Sequence, residues 1–189
     1  MRIAVLALQG AFIEHEQMLR RLGIDTFEIR QFSDWQQPKD GLILPGGEST
    51  VQARLLNELG LMEPIRRDII GGLPVFATCA GLILLAKQED GKPRTGALGA
   101  MDIDVRRNAY GRQLGSFNAK GEVKGIAPDF PMTFIRAPYI HKALSPDVEI
   151  LSTVEDHIVA ARQGNIVATA FHPELDDERL HQWWCKEVV

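Results

Sequence analysis

Hydrophobic residues in the first half of the chain fall into short continuous runs separated by amphipathic segments. The runs at Arg2–Leu8, Gly41–Leu44 and Pro74–Ala77 are typical of strands covered on both faces in a parallel sheet. A further strand is expected at Asp25–Ile29, followed by a polar loop at Phe32–Asp40. Helical periodicity marks the segments Phe12–Leu22, Val51–Leu59, Leu61–Ile70 and Leu82–Ala86. This alternation of strand and helix with short connections predicts a parallel sheet with right-handed crossovers.

Beyond Lys87 the alternation gives way to short strand candidates separated by turns. After a charged surface loop at Glu89–Gly96, strands are predicted at Met101–Val105, Gly115–Val123, Met132–Arg136, Val148–Val154, Asp156–Ala161 and Ile166–Phe171. A last helix is expected at Asp177–Val188, with Leu180, Trp183, Trp184 and Val188 on its apolar side. The predicted fold class is therefore α/β, a mainly parallel central sheet flanked by helices with antiparallel additions at an edge. We expect one domain over residues 1–189.

Composition narrows the function classes. Hydrophobic residues make up 45% and charged residues 24% of the chain, as in ordinary globular proteins. The net charge of −4 comes without a basic block, which argues against nucleic acid as a partner. No apolar run approaches the roughly 20 residues of a membrane span. Two cysteines far apart in sequence favour a reducing compartment, so a cytoplasmic location is expected.

Small residues surround a potential nucleophile at Cys79. The segment Thr78-Cys79-Ala80-Gly81 separates a buried strand from a buried helix, as in a tight strand-to-helix elbow. Such an elbow lifts the sulfur out of the sheet and places it at a helix N-terminus, which favours a thiolate. The alternative interpretation is a buried cysteine with a packing role, which is the expected role of Cys185.

His172 is the candidate base for this nucleophile. It follows an apolar run and begins His172-Pro173-Glu174. In an extended segment, residues i and i+2 project to the same side, and Pro173 is expected to exclude a helix. Glu174 could then accept from one ring nitrogen while the other faces a thiol. The alternative is a histidine at a strand end beside a surface acid.

The remaining histidines give weaker signals. His15 and His181 lie on predicted helices among charged neighbours, so we expect both on the solvated surface. His157 is expected at an exposed turn, and the role of His141 is left open.

A glycine-rich loop follows the third strand of the first half. Its sequence is Pro45-Gly46-Gly47-Glu48-Ser49-Thr50. Two glycines allow backbone N–H groups to point at a ligand, although a plain glycine turn would have the same sequence.

Cys79 in its elbow, the Pro45–Thr50 loop and Phe171-His172-Pro173-Glu174 together resemble the class I glutamine amidotransferases. Within that class, the chain is similar to the glutaminase-subunit family of pyridoxal 5′-phosphate synthase. The similarity is carried, in chain order, by Leu6–His15, Gly41–Thr50, the elbow, Arg107–Gln113, Phe134–Pro138 and Phe171–Leu175. It implies a three-layer, flavodoxin-like fold and a chain that releases ammonia from L-glutamine.

The resemblance also implies roles for individual residues. It makes Cys79 the nucleophile, His172 the general base and Glu174 the residue that orients it. It implies glutamine contacts by Gly47, Glu48, Ser49, Arg107, Ile135 and Arg136, an oxyanion hole from the N–H groups of Gly47 and Ala80, and a partner-contacting loop at Gln9 and Gly10. Arginine suits a carboxylate because its planar fork binds both oxygens, although a surface ion pair is its commoner role. Arg106 stands where the family usually has an acidic residue, so either Arg106 or Arg107 could contact glutamine.

The implied partner is the ring-forming synthase subunit, in a large hetero-oligomer, and no cofactor is implied. No spacing typical of metal ligands is present. Three other interpretations stay open: a non-catalytic regulatory pseudo-glutaminase, the amidotransferase subunit of another pathway, and a peptidase or stress protein of the same architecture. Some such peptidases have histidine directly after the elbow cysteine, where this chain has Ala80.

Overall fold

The structure is a computed structural model and describes residues 1–107 and 116–189. The strands are β1 (Arg2–Leu6), β2 (Asp25–Ile29), β3 (Gly41–Leu44), β4 (Val75–Thr78), β5 (Ala86–Glu89), β6 (Lys92–Pro93), β7 (Met101–Arg106), β8 (Ser116–Val123), β9 (Ala127–Ile135), β10 (Tyr139–Ala143), β11 (Glu149–Val154), β12 (His157–Gln163) and β13 (Ile166–Thr169). The helices are α1 (Phe12–Arg21), α2 (Phe32–Trp35), α3 (Ser49–Glu58), α4 (Met62–Ile70), α5 (Ala80–Leu85), α6 (Pro173–Asp176) and α7 (Arg179–Glu187).

One large sheet runs through the described part of the chain in the order β2-β1-β3-β4-β13-β12-β10-β7-β5-β6, and β11 pairs with β12. Neighbours from β2 to β13 are parallel. From β13 outward the pairing is antiparallel except between β5 and β7. This mainly parallel half with antiparallel additions confirms the predicted fold class.

The parallel strands are buried on both faces, and alternate side chains enter opposite cores. Leu42 and Leu44 pack with helices α3 and α4 on one face, whereas Ile43 packs with α1 and α7 on the other. Because side chains alternate along a strand, a strand with helices on both sides has apolar residues at every position. This explains the continuous runs that predicted these strands.

Several elements of the structure were not predicted from the sequence. The polar loop at Phe32–Asp40 contains α2, which a capping box between Gln31 and Asp34 stabilises. The charged loop predicted at Glu89–Gly96 includes the turn and the second strand of the β5–β6 hairpin. No strand was predicted at Tyr139–Ala143, where β10 lies.

Strands β8 and β9 form a separate two-stranded sheet rather than an addition to the main sheet. Phe130 and Phe134 of β9 pack in the same core as α1 and α7. The carboxyl end of β9 thereby reaches the carboxyl ends of the parallel strands. Residues 108–115 lie outside the described residues. They include all but the first residue of the Arg107–Gln113 segment and the first residue of the strand predicted at Gly115–Val123.

None of the helices in the described ranges combines the length and apolar character needed to cross a membrane.

Candidate active site

Cys79 occupies a sharp turn between β4 and α5. Its backbone has φ 47° and ψ −98°, a conformation rarely adopted by residues with a side chain. The Cys79 N–H donates to the Thr169 carbonyl at 2.8 Å, and the Ile83 N–H donates to the Cys79 carbonyl at 3.2 Å. Hydrogen bonds on both sides thus hold the strained residue, as the predicted elbow requires.

The elbow needs glycine at position 81 because α5 crosses β3 at very short range. A Cβ atom on Gly81 would lie 2.2 Å from the Leu44 carbonyl oxygen. The first turn of α5 therefore sits directly on the end of β3. This contact brings Cys79 beside the glycine-rich loop that follows β3.

His172 lies beyond the end of β13 and is fixed from two sides. Its backbone N–H donates to the Thr133 carbonyl of β9 at 2.9 Å. Its Nδ1 pairs with Glu174 Oε1 at 2.6 Å, and the side chain of Glu174 is fully buried. The predicted pairing of these two residues is therefore present in the structure.

The backbone that produces this pairing differs from the prediction. Pro173 does not exclude a helix, because it is the first residue of the short helix α6, and Glu174 is the second. Proline is tolerated at a first helical position, where its missing N–H would have no helical partner and its φ already suits the helix.

The electrostatic environment of His172 favours the imidazolium. Burial alone lowers the pKa of His172, but hydrogen bonds with Cys79 and Glu174 and their charges outweigh burial and raise it to about 10. The ring therefore interacts with the thiol on one side and the carboxylate on the other. Such an arrangement stabilises a thiolate and can move a proton between sulfur and substrate.

The imidazole packs against a glycine backbone. A Cβ atom on Gly46 would lie 2.3 Å from His172 Cε1, so the ring fits only because position 46 has no side chain. Gly10 approaches the same loop with φ 101°, and a Cβ atom there would lie 1.9 Å from the Gly46 carbonyl oxygen. The two loops that follow β1 and β3 are therefore in backbone contact.

These elements surround a cavity of about 420 Å³. It is lined by Ala11, Gly46, Gly47, Glu48, Ser49, Cys79, Ile83, Arg107, Ile135, Arg136, Pro138 and His172. The lining includes Cys79, His172 and every residue that the sequence predicted to contact glutamine. Glu174 lies behind His172, and Ala80 is buried at the first position of α5. The thiol of Cys79 points to the Ile135 carbonyl oxygen at 4.0 Å.

Arg107, and not Arg106, lines the cavity. Arg107 is held by Glu89 at 2.7 Å and donates to Thr50 Oγ1 at 3.3 Å. Arg106 instead faces Asp90, at 3.7 Å, on the outer side of the strand. Arg107 follows the last residue of β7, and its side chain lines the cavity, whereas the exposed side chain of Arg106 does not.

Glu48 is positioned by the helix that it caps. Its carboxylate accepts from the N–H groups of Thr50 and Val51 at the start of α3. Burial alone raises the pKa of Glu48, but these two backbone bonds, and the charge of Arg107, outweigh burial and lower it. The cavity therefore has a fixed negative charge at the same end as an arginine.

The loop at Gln9 and Gly10 lies beside Gly46 and Gly47, because β3 is the neighbour of β1 and separates it from β4. Gln9 Oε1 accepts from the Glu48 N–H at 2.7 Å. Sequence reasoning missed Gln52, whose buried amide donates to the Gln9 carbonyl at 2.9 Å and the Pro45 carbonyl at 3.2 Å.

The expectation that His15 and His181 are solvated is wrong. Both side chains have 0% exposure, and their rings meet at 2.9 Å between His15 Nδ1 and His181 Nε2. Their charged neighbours in sequence lie on the outer sides of α1 and α7, while the histidines face inward. Thr78, which sequence reasoning also missed, accepts from the Gly46 N–H at 3.0 Å and lies 3.1 Å from His15.

Among residues 1–107 and 116–189, no group of three or more histidine, cysteine or acidic side chains is arranged to hold a metal ion.

Solved structures define the class of this protein. A crystal structure described as a glutamine amidotransferase matches 97% of this chain and 97% of its own length, with a TM-score of 0.90 and 43% sequence identity. Together with the elbow cysteine and the paired histidine, this match places the fold among the glutamine amidotransferases.

Sequence comparison gives the family. The chain belongs to the SNO glutamine amidotransferase family, whose model matches residues 5–189. It is 53% identical over 194 residues to a Streptococcus pneumoniae protein named pyridoxal 5′-phosphate synthase subunit PdxT, covering 99% of this chain and 98% of that one. A protein of the same name from Methanocorpusculum labreanum is 55% identical over 191 residues, covering 100% and 98%. The family resemblance predicted from the sequence motifs is confirmed.

Proposed function

We propose that this chain hydrolyses L-glutamine to L-glutamate and ammonia, and delivers the ammonia to the synthase subunit of pyridoxal 5′-phosphate synthase. The observation that carries the proposal is the meeting of Cys79 and His172 at one cavity, with Glu174 paired to His172 Nδ1 at 2.6 Å behind the ring. Family membership and the names of the full-length relatives support the substrate and the pathway.

The first half of the reaction forms a thioester. The Cys79 thiolate attacks the side-chain amide carbon of glutamine, and the carbonyl oxygen takes up negative charge. The imidazolium of His172 gives its proton to the amide nitrogen, the carbon–nitrogen bond breaks, and ammonia leaves. Glu174 pairs with Nδ1 of the ring and stabilises the imidazolium.

The second half regenerates the enzyme. His172, now neutral, takes a proton from water as the water oxygen attacks the thioester carbonyl carbon. The carbon–sulfur bond then breaks, glutamate leaves, and the thiolate–imidazolium pair is restored. In both halves, the N–H groups of Gly47 and Ala80 serve as the oxyanion hole in this proposal. Loss of one such donor typically costs about 10²–10³ in rate.

The charges at the cavity suit the amino-acid end of glutamine. Arg107 and Arg136 offer guanidinium groups for the α-carboxylate, and Glu48 offers a fixed carboxylate for the α-ammonium group. Gly47, Ser49 and Ile135 complete the substrate contacts in this assignment. With the charged end bound there, the side-chain amide extends toward Cys79.

The product itself favours a protein partner. Free ammonia in neutral water is mostly protonated and no longer nucleophilic, so a useful transfer needs a protected route. Gln9 and Gly10 are assigned to the partner contact, and the adjacent Ile13 has a 50% exposed apolar side chain. A partner on this surface would touch the loop that holds the Glu48 N–H.

Glutamine hydrolysis by the wild type, Cys79→Ala and Cys185→Ala, each with and without the synthase subunit, tests the proposal. We expect activity only or mainly with the partner, and none for Cys79→Ala. Cys185→Ala is the matched control, because Cys185 is buried in the core on α7, away from the cavity, and should stay active. Turnover by Cys79→Ala at the wild-type rate would refute the mechanism. Inactivity of the wild type with its partner would refute the function.

A further inference from the structure

A chain of buried polar side chains continues behind Glu174, away from the cavity. One carboxylate oxygen, Oε1, pairs with His172, and the other, Oε2, lies 3.5 Å from His15 Nε2. The side chains of His15 and Glu174 have no exposed area, and Oε2 has no hydrogen-bond partner among the described residues. A buried carboxylate oxygen without a donor is costly, so the group facing it matters.

The ring of His15 is held by contacts with α7 and with the end of β4. Helix α1 places His15 against α7, where its Nδ1 meets His181 Nε2 at 2.9 Å. Its Nε2 also lies 3.1 Å from Thr78 Oγ1 at the end of β4. The ring therefore has one orientation, with Nε2 toward the site and Nδ1 toward α7.

Both histidines of this pair are neutral. Burial lowers the pKa of His15 well below its ordinary value, and the charges of His181 and His172 lower it further. Burial, with the charge of Arg21, lowers the pKa of His181 to about 3. A neutral imidazole has one N–H donor and one acceptor nitrogen, so the position of the proton decides what His15 offers to Glu174.

The charge of the carboxylate favours a proton on Nε2, and the Thr78 hydroxyl at 3.1 Å is compatible with this because a hydroxyl can accept as well as donate. An ionised carboxylate only accepts, so a lone pair on His15 Nε2 would face Oε2 unfavourably, whereas a proton there gives an attraction. The Nδ1 atom of His15 is then an acceptor for the His181 Nε2–H. This leaves His181 Nδ1 as a bare acceptor, in agreement with its having no partner among the described residues. A buried acceptor without a partner is less unusual than a buried donor without one.

We propose that His15 is a positioning residue that donates from Nε2 to Glu174 Oε2 and keeps this carboxylate directed at His172, with His181 fixing the tautomer. The inference rests on the proposed function for its catalytic meaning. Two titratable groups face this carboxylate: His172, two residues earlier in the chain, and His15 from α1. His181 of α7 lies behind His15, and Cys79 lies on the other side of His172.

Removal of the Nε2 donor should weaken the hold of Glu174 on the imidazolium. Without this donor, the carboxylate of Glu174 is less firmly directed at His172. The pKa of His172 then falls, and the alkaline limb of glutamine hydrolysis moves to lower pH. Loss of one hydrogen bond to a charged group corresponds to about one pH unit and about a tenfold lower kcat.

Two substitutions at one position separate donation from packing. His15→Gln keeps an N–H donor near the Nε2 position, whereas His15→Met has comparable size and no donor. Glutamine and methionine are similarly good helix formers, so α1 is preserved in both variants. Each is measured by NMR titration of His172 in the full-length chain, with His172→Gln used to assign the signal, and by the pH profile of hydrolysis with the synthase subunit.

We expect His15→Met to lower the pKa of His172 by about one unit and kcat about tenfold. We expect His15→Gln to restore the pKa of His172, and to restore kcat to within about threefold of the wild-type value. An unchanged His172 titration in His15→Met would overturn the proposal, as would equal losses in both variants. If His15→Met does not fold, the nitrogen shifts of wild-type His15 still decide, since a proton on Nδ1 rather than Nε2 would also overturn it. These NMR results do not depend on glutamine hydrolysis, so failure of the proposed function is distinguished from failure of this inference.

Discussion

Gly46→Ala is the most direct test of how the imidazole is held. The new methyl carbon would lie 2.3 Å from His172 Cε1 and 3.1 Å from its Nδ1. The backbone at Gly46 is not in the left-handed region, so alanine adds steric conflict without adding backbone strain. The substitution therefore acts on the ring rather than on the loop.

The size of the effect depends on the contact distance. Carbon atoms reach their best contact at about 3.5–4.0 Å. The new methyl carbon would lie only 2.3 Å from His172 Cε1, so the ring must move away by about 1 Å or more. Such a movement breaks the 2.6 Å bond to Glu174 or the contact with Cys79. A misplacement of about 1 Å costs about 10²-fold in rate, equivalent to about 2.7 kcal/mol of transition-state stabilisation.

The assay is kcat/KM for glutamine hydrolysis by Gly46→Ala in the presence of the synthase subunit. The matched control is Gly121→Ala in β8, where a Cβ atom meets only the tip of Met132 at 3.5 Å and Val154 at 4.0 Å. We expect the control to match the wild type and Gly46→Ala to lose about 10²-fold while its unfolding remains cooperative. Wild-type kcat/KM in Gly46→Ala would refute the argument that the glycine backbone confines the ring.

Two further predictions concern stability. Burial alone lowers the pKa of folded His172, but the bonds of the ring with Cys79 and Glu174 raise this pKa from 6.5 to about 10. Protonated His172 therefore stabilises the fold fully below pH 6.5, and this stabilisation is lost as the pH rises toward 10. The difference in the free energy of unfolding between wild type and His172→Gln should therefore shrink over that window in denaturant titrations, and a constant difference would contradict this linkage. Trp184→Ala should lower the free energy of unfolding by about 3–5 kcal/mol, because the side chain is fully buried between α7 and the sheet. The half-buried Trp183 is the control, and equal losses from Trp183→Ala and Trp184→Ala would show that α7 does not pack as described.

The parallel half of the fold could be predicted because its signal is local. Gly41–Leu44 has the same bounds in the structure as in the prediction, since a strand covered on both faces needs apolar residues throughout. The second half was less accurate. Alternating short strands do not specify their partners, and sequence alone did not show that β8 and β9 leave the main sheet.

In the candidate site as well, features that depend on neighbouring residues could be predicted, and features that depend on distant segments could not. The elbow at Cys79 and the pairing of His172 with Glu174 could be predicted because each depends on adjacent residues, although Pro173 begins a helix rather than excluding one. Gln52 could not be identified from the sequence. Its significance comes from the Gln9 and Pro45 carbonyls, and the first of these belongs to another segment.

The sequence by itself determined the family, the elbow and the residue types that can perform the chemistry, because local sterics and short-range spacing control these features. Only the tertiary structure decided that β3 lies between β1 and β4, that Arg107 rather than Arg106 lines the cavity, and that His15 and His181 are buried. The physical reason is that burial and hydrogen-bond partners depend on which distant elements pack together. The charged neighbours of His15 along the chain carry no information about the carboxylate that α6 places against it.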